Sequence, residues 1–230
     1  MDLSTPRRLA GLRVLLLPAK CRLWFFHNYM SVVFGICSNN FVALWADMRL
    51  TSYAGDTPSV VNDTTNKIVK LNPNVRIGVT GSFSADEEIM DAVTNISNVE
   101  RASAKIVKNA IVAYLRKAHQ DGRNFVTRNY TIGGKVKGDG FVLFGVHWNP
   151  ATKKPEVQEY KPTTTLPFAV TMSLPTQDPI CQSETLKNIQ RVVKIATSFE
   201  VLDYGMRRLI SEIAKRDASV SPNSASLLIT

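Results

Sequence analysis

The stretch that decides the fold is SVVFGICSNNFVALWADMRL, residues 31–50. Two runs rich in β-forming residues, 31–37 and 41–46, flank the tripeptide Ser38-Asn39-Asn40. Small polar residues between two such runs are typical of a hairpin turn. The sequence therefore predicts that the folded chain opens with an antiparallel hairpin whose first strand begins within two residues of Ser31.

Downstream, blocks of predicted strands alternate with pairs of predicted helices. The polar segment 51–65 contains Gly, Pro and Asn and is predicted to be a loop. Further strands are predicted at 67–71, 76–80, 125–127, 141–148, 157–160, 168–172 and 225–230, and helices at 84 onward, 98–117, 184–196 and 199–215. Several predicted strands are apolar on both faces, so each sheet must pack against other elements on both of its faces. The predicted fold is α+β, a four-layer αββα sandwich with two antiparallel sheets between two helix layers.

Composition indicates one globular domain, assigned to residues 31–230. The 230 residues are 44% hydrophobic and 20% charged, which excludes collagen-like and wholly disordered chains. No apolar run reaches the length of a membrane span, so no membrane partner is expected. The three cysteines form no C-x-x-C motif and the three histidines lack ligand spacing, so we expect no metal or cofactor and a reducing, cytoplasmic compartment.

Residues 1–30 differ in character from the rest of the chain. The net charge is +9, and residues 1–29 carry five basic residues against the single acid Asp2. No nucleic-acid-binding signature accompanies this excess, so no nucleic-acid partner is expected. The segment fits a translation start that truly lies at Met30, a removable propeptide or a targeting segment. Under each interpretation the fold begins at Ser31.

Four motifs occur in order on the predicted elements. Ser31 opens a strand, Ala46-Asp47-Met48-Arg49 ends the next one, and Lys67 precedes an apolar strand. Gly78-Val79-Thr80-Gly81-Ser82-Phe83-Ser84-Ala85-Asp86 then leads into a helix, and Arg216-Asp217-Ala218 precedes a serine-rich turn. This arrangement resembles the proteasome β-type subunits and the bacterial proteasome-like peptidase, both N-terminal nucleophile hydrolases. The resemblance covers residues 31–117 well, is thin from 124 to 198 and returns at 216–218.

The chain departs from that family at three positions. Met30 stands where the family has Gly before the nucleophile, and Ser31 stands where proteasomes have Thr. The Ser-Gly-Ser segment of active β subunits has no clean match near Val170–Ser173.

The resemblance implies a catalytic role for each matching residue. Ser31 would be the nucleophile, with its own α-amino group as the base, which requires a free chain terminus at this position. Lys67 would favour the ionised hydroxyl, Asp47 would position Lys67, and Arg49 would brace Asp47. The remaining implied roles are the oxyanion donor for Gly81, hydrogen bonds to the terminal amine for Asp217 and Ser221, and an apolar substrate pocket for Leu50, Val79 and Phe83. Taken singly, each residue also fits an ordinary turn, strand end or core position.

The function expected from the resemblance is that of a serine-type N-terminal nucleophile peptidase or amidohydrolase. Its substrate would be a peptide or protein with an apolar residue before the cleaved bond. It would work inside a homo-oligomeric ring, and the family includes members that act with a ring ATPase or with other proteasome-like subunits. Two alternatives stay open: a non-catalytic structural subunit of the same type, and an amidase on small substrates.

Overall fold

The computed structural model describes residues 31–54, 57–80, 84–122, 128–174 and 179–230. The prediction that residues 1–30 form a separate extension therefore lies outside the described residues. The strands are β1 Val33–Ser38, β2 Val42–Asp47, β3 Leu50–Ala54, β4 Thr57–Asn62, β5 Ile68–Asn72, β6 Val75–Thr80, β7 Asn129–Val136, β8 Gly140–Asn149, β9 Lys154–Tyr160, β10 Phe168–Ser173 and β11 Ser224–Ile229. The helices are α1 Ser84–Thr94, α2 Ala104–Gln120, α3 Pro179–Ile195 and α4 Phe199–Ala214, with a 3₁₀ turn at Val99–Arg101.

The strands pair antiparallel in three sheets. A four-stranded sheet has the order β10-β1-β2-β11, a five-stranded sheet has the order β5-β6-β7-β8-β9, and β3 and β4 form a pair of their own. The predicted opening hairpin is confirmed, because Val33 pairs with Ala46 and β1 begins two residues after Ser31. The predicted pairing of the strands around Asn72 is confirmed as well.

Three hydrophobic clusters hold these elements together. Helices α1 and α2 pack on the five-stranded sheet, and α3 and α4 pack on the four-stranded sheet. The third cluster joins residues of both sheets, including Val33, Leu44 and Leu143. The sheets approach so closely that a Cβ at Gly78 would lie 2.7 Å from Cγ1 of Val33, so a residue without a side chain is required there.

The predicted α+β fold, a four-layer αββα sandwich with two antiparallel sheets between two helix layers, is wrong because the described residues form three antiparallel sheets rather than two. Strands account for 38% of these residues, which also form four α-helices. Segment 51–65, predicted to be a loop, contributes β3 and β4 and with them the third sheet. Thr51, Val60 and Val61 are β-branched, and their preference for extended backbone outweighs the turn-forming residues around them.

Helix α2 and strand β7 also differ from the prediction. Helix α2 begins at Ala104 rather than at 98, because Asn98 adopts a left-handed backbone (φ 57°) and the 3₁₀ turn follows it. Strand β7 was not predicted, since its Gly133-Gly134 pair weakens the strand pattern. The predicted strand 125–127 lies outside the described residues. Among the helices of the described part, none has the length and apolar character needed to cross a membrane.

Candidate active site

Asp47, the last residue of β2, lies at the centre of the candidate site. Its side chain is fully buried, and its two carboxylate oxygens accept hydrogen bonds from Lys67 Nζ at 2.9 and 2.8 Å. The same oxygens accept main-chain N–H groups from Val32 at 2.7 Å, Arg49 at 3.0 Å and Ser221 at 3.3 Å. Burial of a carboxylate is costly unless hydrogen bonds compensate it, and here three main-chain segments and one ammonium donate to Asp47.

Lys67 precedes β5, and its ammonium lies next to the Asp47 carboxylate at the end of β2. Its carbonyl accepts the Val79 N–H at 3.0 Å, which fixes the backbone from which the side chain extends. Only 8% of the side chain is exposed. Burial lowers the pKa of the Lys67 ammonium, and the Asp47 carboxylate partly opposes this shift. A lysine in this environment releases its proton more readily than one in solvent.

Ser31 lies immediately before the segment that Asp47 anchors. It is 6% exposed, and the next residue, Val32, bonds with Asp47 in both directions. The Val32 N–H donates to the carboxylate, and the Asp47 N–H donates to the Val32 carbonyl at 3.1 Å. Asp47 therefore fixes the backbone next to Ser31 and also binds Lys67.

Arg49 contacts Asp47 through its main-chain N–H, whereas its guanidinium binds elsewhere. Nε and Nη2 donate to the two carboxylate oxygens of Asp63 at 2.6 and 2.8 Å, and Nη1 donates to the Ala218 carbonyl at 2.6 Å. The hydrogen bonds from Arg49 lower the pKa of Asp63. The guanidinium thus ties the segment after β4 to the turn before β11. Asp63 was not among the predicted residues, and no motif in the sequence marks it.

Asp217 and Ser221 belong to this turn. Asp217 accepts the N–H and the hydroxyl of Ser219, at 2.8 and 2.5 Å. Ser221 is fully buried, donates its N–H to Asp47 and accepts the Asn223 N–H at 3.1 Å. The structure therefore brings Ser221 to the Asp47–Lys67 pair, while the carboxylate of Asp217 shapes the turn.

Of the predicted pocket residues, the structure describes Leu50 and Val79, and these two belong to different elements. Leu50 begins β3 and is partly exposed, whereas Val79 belongs to the hydrophobic cluster beneath α1 and α2. Gly81 and Phe83, predicted as oxyanion donor and pocket residue, lie outside the described residues.

A small polar pocket of about 170 Å³, which the sequence did not predict, lies at the end of β10. Ser173 lines it and pairs with Val33, two residues beyond Ser31. The Ser173 hydroxyl lies 3.0 Å from the Thr80 hydroxyl and accepts the Asn129 side-chain amide at 3.3 Å. Ser173 ends the segment Val170–Ser173, which has no clean match to the Ser-Gly-Ser motif, and no other feature of the sequence marks this pocket.

Two other classes of site find little support in the described residues. Within 31–54, 57–80, 84–122, 128–174 and 179–230, no three His, Cys, Asp or Glu side chains are grouped so that they would hold a metal ion. The Cys37 thiol is buried, and burial raises its pKa to about 12, so it stays protonated and is a poor nucleophile.

No protein-family model matches the chain, and no curated protein is detectably similar to it in sequence.

Proposed function

We propose that the chain is a serine-type N-terminal nucleophile peptidase or amidohydrolase in which Ser31 attacks the substrate. The observation that carries this proposal is the buried Asp47–Lys67 pair, which is bonded to the main chain one residue from Ser31. A serine hydroxyl needs a base and a nearby positive charge to become a nucleophile. The terminal amine of Ser31 and the ammonium of Lys67 are the groups available for these two roles.

The reaction runs in two steps. The Ser31 hydroxyl oxygen bonds to the carbonyl carbon of the substrate while the α-amino group of Ser31 takes the hydroxyl proton. The C–N bond then breaks, the leaving amine receives that proton, and an ester to Ser31 remains. The α-amino group of Ser31 then takes a proton from water while the water oxygen bonds to the ester carbon. The bond from that carbon to the Ser31 oxygen breaks, the α-amino group returns the proton to this oxygen, and the acid leaves.

The mechanism requires Ser31 to carry a free amine, because an amide nitrogen at this position is not basic. The proposal therefore includes removal of everything up to Met30. Lys67 supports the terminal amine as a base, since a neighbouring ammonium lowers its pKa by repulsion between like charges.

We also propose that copies of the chain associate in a cytoplasmic ring, with ring ATPases or related subunits as further partners. Exposed apolar side chains on α3 and α4 support self-association: Ile180, Ile195, Val201 and Tyr204 are each 43–70% exposed. Sedimentation analysis tests this, with complexes well above the 25.5 kDa of one chain as the expected result. A single species of that mass at all concentrations would contradict it.

A non-catalytic structural subunit is the second candidate. The hydrogen bonds that surround Asp47 favour it, because they also suit a pair whose role is to join three segments of the fold. The two candidates differ in whether Ser31 reacts.

The decisive experiment compares a preparation that begins at Ser31, verified by intact mass, with the chain 1–230. Short peptides with an apolar residue before the scissile bond serve as substrates. We expect cleavage by the Ser31-terminal form, a loss of about two to three powers of ten or more for Ser31→Ala, and a similar loss for Lys67→Ala. Ser38→Ala is the matched control, because Ser38 is equally buried at the opposite end of β1.

Inactivity of the Ser31-terminal form on all peptides would favour the structural subunit. Full activity of a preparation that retains residues 1–30 would refute the terminal-amine mechanism.

A further inference from the structure

A second, larger pocket lies at the end of the five-stranded sheet opposite to the candidate active site. Strand β6 runs from Val75 near this pocket to Thr80 near Ser173, so about 17 Å of strand separates the two places. The pocket has a volume of about 570 Å³, within the range of small-molecule sites. Its walls include Asn74, Arg101, Lys135, Val136, Lys137 and Phe141.

The charged residues of this pocket are all basic. Arg101, Lys135 and Lys137 line it, and no Asp or Glu is among the described residues that do so. Asp139 lies in the same turn as Lys137, but its carboxylate pairs with Lys161 at 3.3 Å. The described residues give Arg101 and Lys137 no carboxylate partner within salt-bridge distance, so their charges are left for a ligand.

Lys135 is held in place at the pocket wall. Its ammonium donates to the main-chain oxygen of Thr230 at 2.7 Å and lies 5.1 Å from the centre of the Phe141 ring. A fixed ammonium loses less side-chain entropy when it binds an anion than a free surface lysine does.

A buried arginine adds to the positive potential at this end of the sheet. Arg76 is 7% exposed, and its guanidinium donates to the carbonyls of Asn72, Val75 and Leu228. Its Nε has no hydrogen-bond partner among the described residues. The acceptors of Arg76 and Lys135 are the main-chain oxygens of Leu228, near the end of β11, and of Thr230, just after it, so both cations lie near this end of the strand.

The turn between β7 and β8 contributes Gly138 and Gly140 to the pocket wall. Gly138 and Gly140 have φ values of 85° and 74°, a conformation that residues with a side chain rarely adopt. A Cβ at either position would meet no atom within 4 Å. The two glycines therefore shape the turn that carries Lys137 and leave free space beside it.

We propose that this pocket binds a small phosphorylated ligand that carries at least two negative charges. Arg101 would bind phosphate oxygens through its planar guanidinium, and Lys135 and Lys137 would act as point charges. Phe141 and Val136 provide apolar wall for the organic part of the ligand. This site is separate from the one under Proposed function, and its test does not depend on catalysis.

The test is calorimetric titration of the full chain with inorganic pyrophosphate in about 50 mM salt, where charge interactions are weakly screened. The double variant Arg101→Ala/Lys137→Ala removes two exposed cations of the pocket. Its matched control, Arg191→Ala/Lys194→Ala, removes one Arg and one Lys from the exposed face of α3 and changes the net charge equally. We expect at least about tenfold weaker binding in the pocket variant and unchanged binding in the control.

Three outcomes would overturn the proposal. No heat of binding at millimolar pyrophosphate would do so, and so would equal losses in the two double variants, which would indicate attraction to net charge alone. Tighter binding of citrate than of pyrophosphate would replace the phosphate assignment with a carboxylate one. All four substituted side chains are exposed, so thermal unfolding should be unchanged and verifies that the variants fold.

Discussion

Asp47→Asn is expected to destabilise the fold by about 3–5 kcal/mol, the usual cost of breaking a buried ion pair from one side. The carboxylate is fully buried and accepts bonds from Lys67, Val32, Arg49 and Ser221. Asparagine keeps one acceptor oxygen but places an NH₂ group against donors. It also removes the carboxylate that pairs with the Lys67 ammonium, whose side chain is only 8% exposed.

Removing the other partner is expected to cost less. Lys67→Met preserves the length and apolar stem of the side chain, and Asp47 retains three main-chain N–H donors that hold its charge. We expect Lys67→Met to lower the free energy of unfolding by about 1–3 kcal/mol, which is at least about 1 kcal/mol less than the loss for Asp47→Asn. The double variant should be more stable than Asp47→Asn alone, because neither charge then stays buried without its partner.

Urea denaturation followed by tryptophan fluorescence measures these differences, since Trp45 is buried in the four-stranded sheet. With a slope of about 2 kcal/mol per molar urea, Asp47→Asn should lower the midpoint by about 1.5–2.5 M. Glu212→Gln, at an exposed ion pair with Lys215, is the matched control and should change stability by less than about 0.5 kcal/mol. If Lys67→Met lowered the stability as much as Asp47→Asn does, the main-chain N–H groups would not stabilise the Asp47 carboxylate as argued here.

Two other perturbations test the packing around the site and the far end of the sheet. Arg49→Ala removes the paired bonds to Asp63 and the bond to Ala218, and we expect a loss of about 1–2 kcal/mol together with faster proteolysis of the loosened turn. Gly134→Ala would place a Cβ impossibly close to a main-chain oxygen. It should lower the free energy of unfolding, measured by thermal denaturation, by more than about 2 kcal/mol. Gly145→Ala is its control, because the nearest atom to a Cβ there is 3.4 Å away; an equal loss would contradict the steric account.

Local chemistry made the first hairpins predictable. The turn residues between β1 and β2, and those around Asn72, set the pairing without help from distant parts of the chain. The proximity of Asp47 and Lys67 followed from the resemblance, and it is possible because each residue lies at the end of a strand near Ser31. The nucleophilic role of Ser31 stays a prediction.

Two kinds of feature were not predictable. The third sheet, β3 with β4, is a local pairing in a stretch whose turn-forming residues concealed its β-branched ones. The second kind depends on residues that are distant in sequence. The partners of the Arg49 guanidinium are Asp63 and Ala218, and Ala218 lies 169 positions along the chain. A sequence pattern shows that Arg49 is cationic, but only the folded backbone determines which carboxylate it reaches.

The lowered pKa of Lys67 gives a prediction whose sign follows from proton linkage. Burial holds this pKa below 10.5, the value expected in the unfolded chain. Between the two values the unfolded chain binds the extra proton, so raising the pH stabilises the folded state. This stabilisation is complete above pH 10.5 and is lost as the pH falls through the lowered pKa of Lys67. The free energy of unfolding of the wild type relative to Lys67→Met should therefore rise as the pH approaches 10.5. A difference that does not change with pH would mean that Asp47 fully offsets the burial of the ammonium.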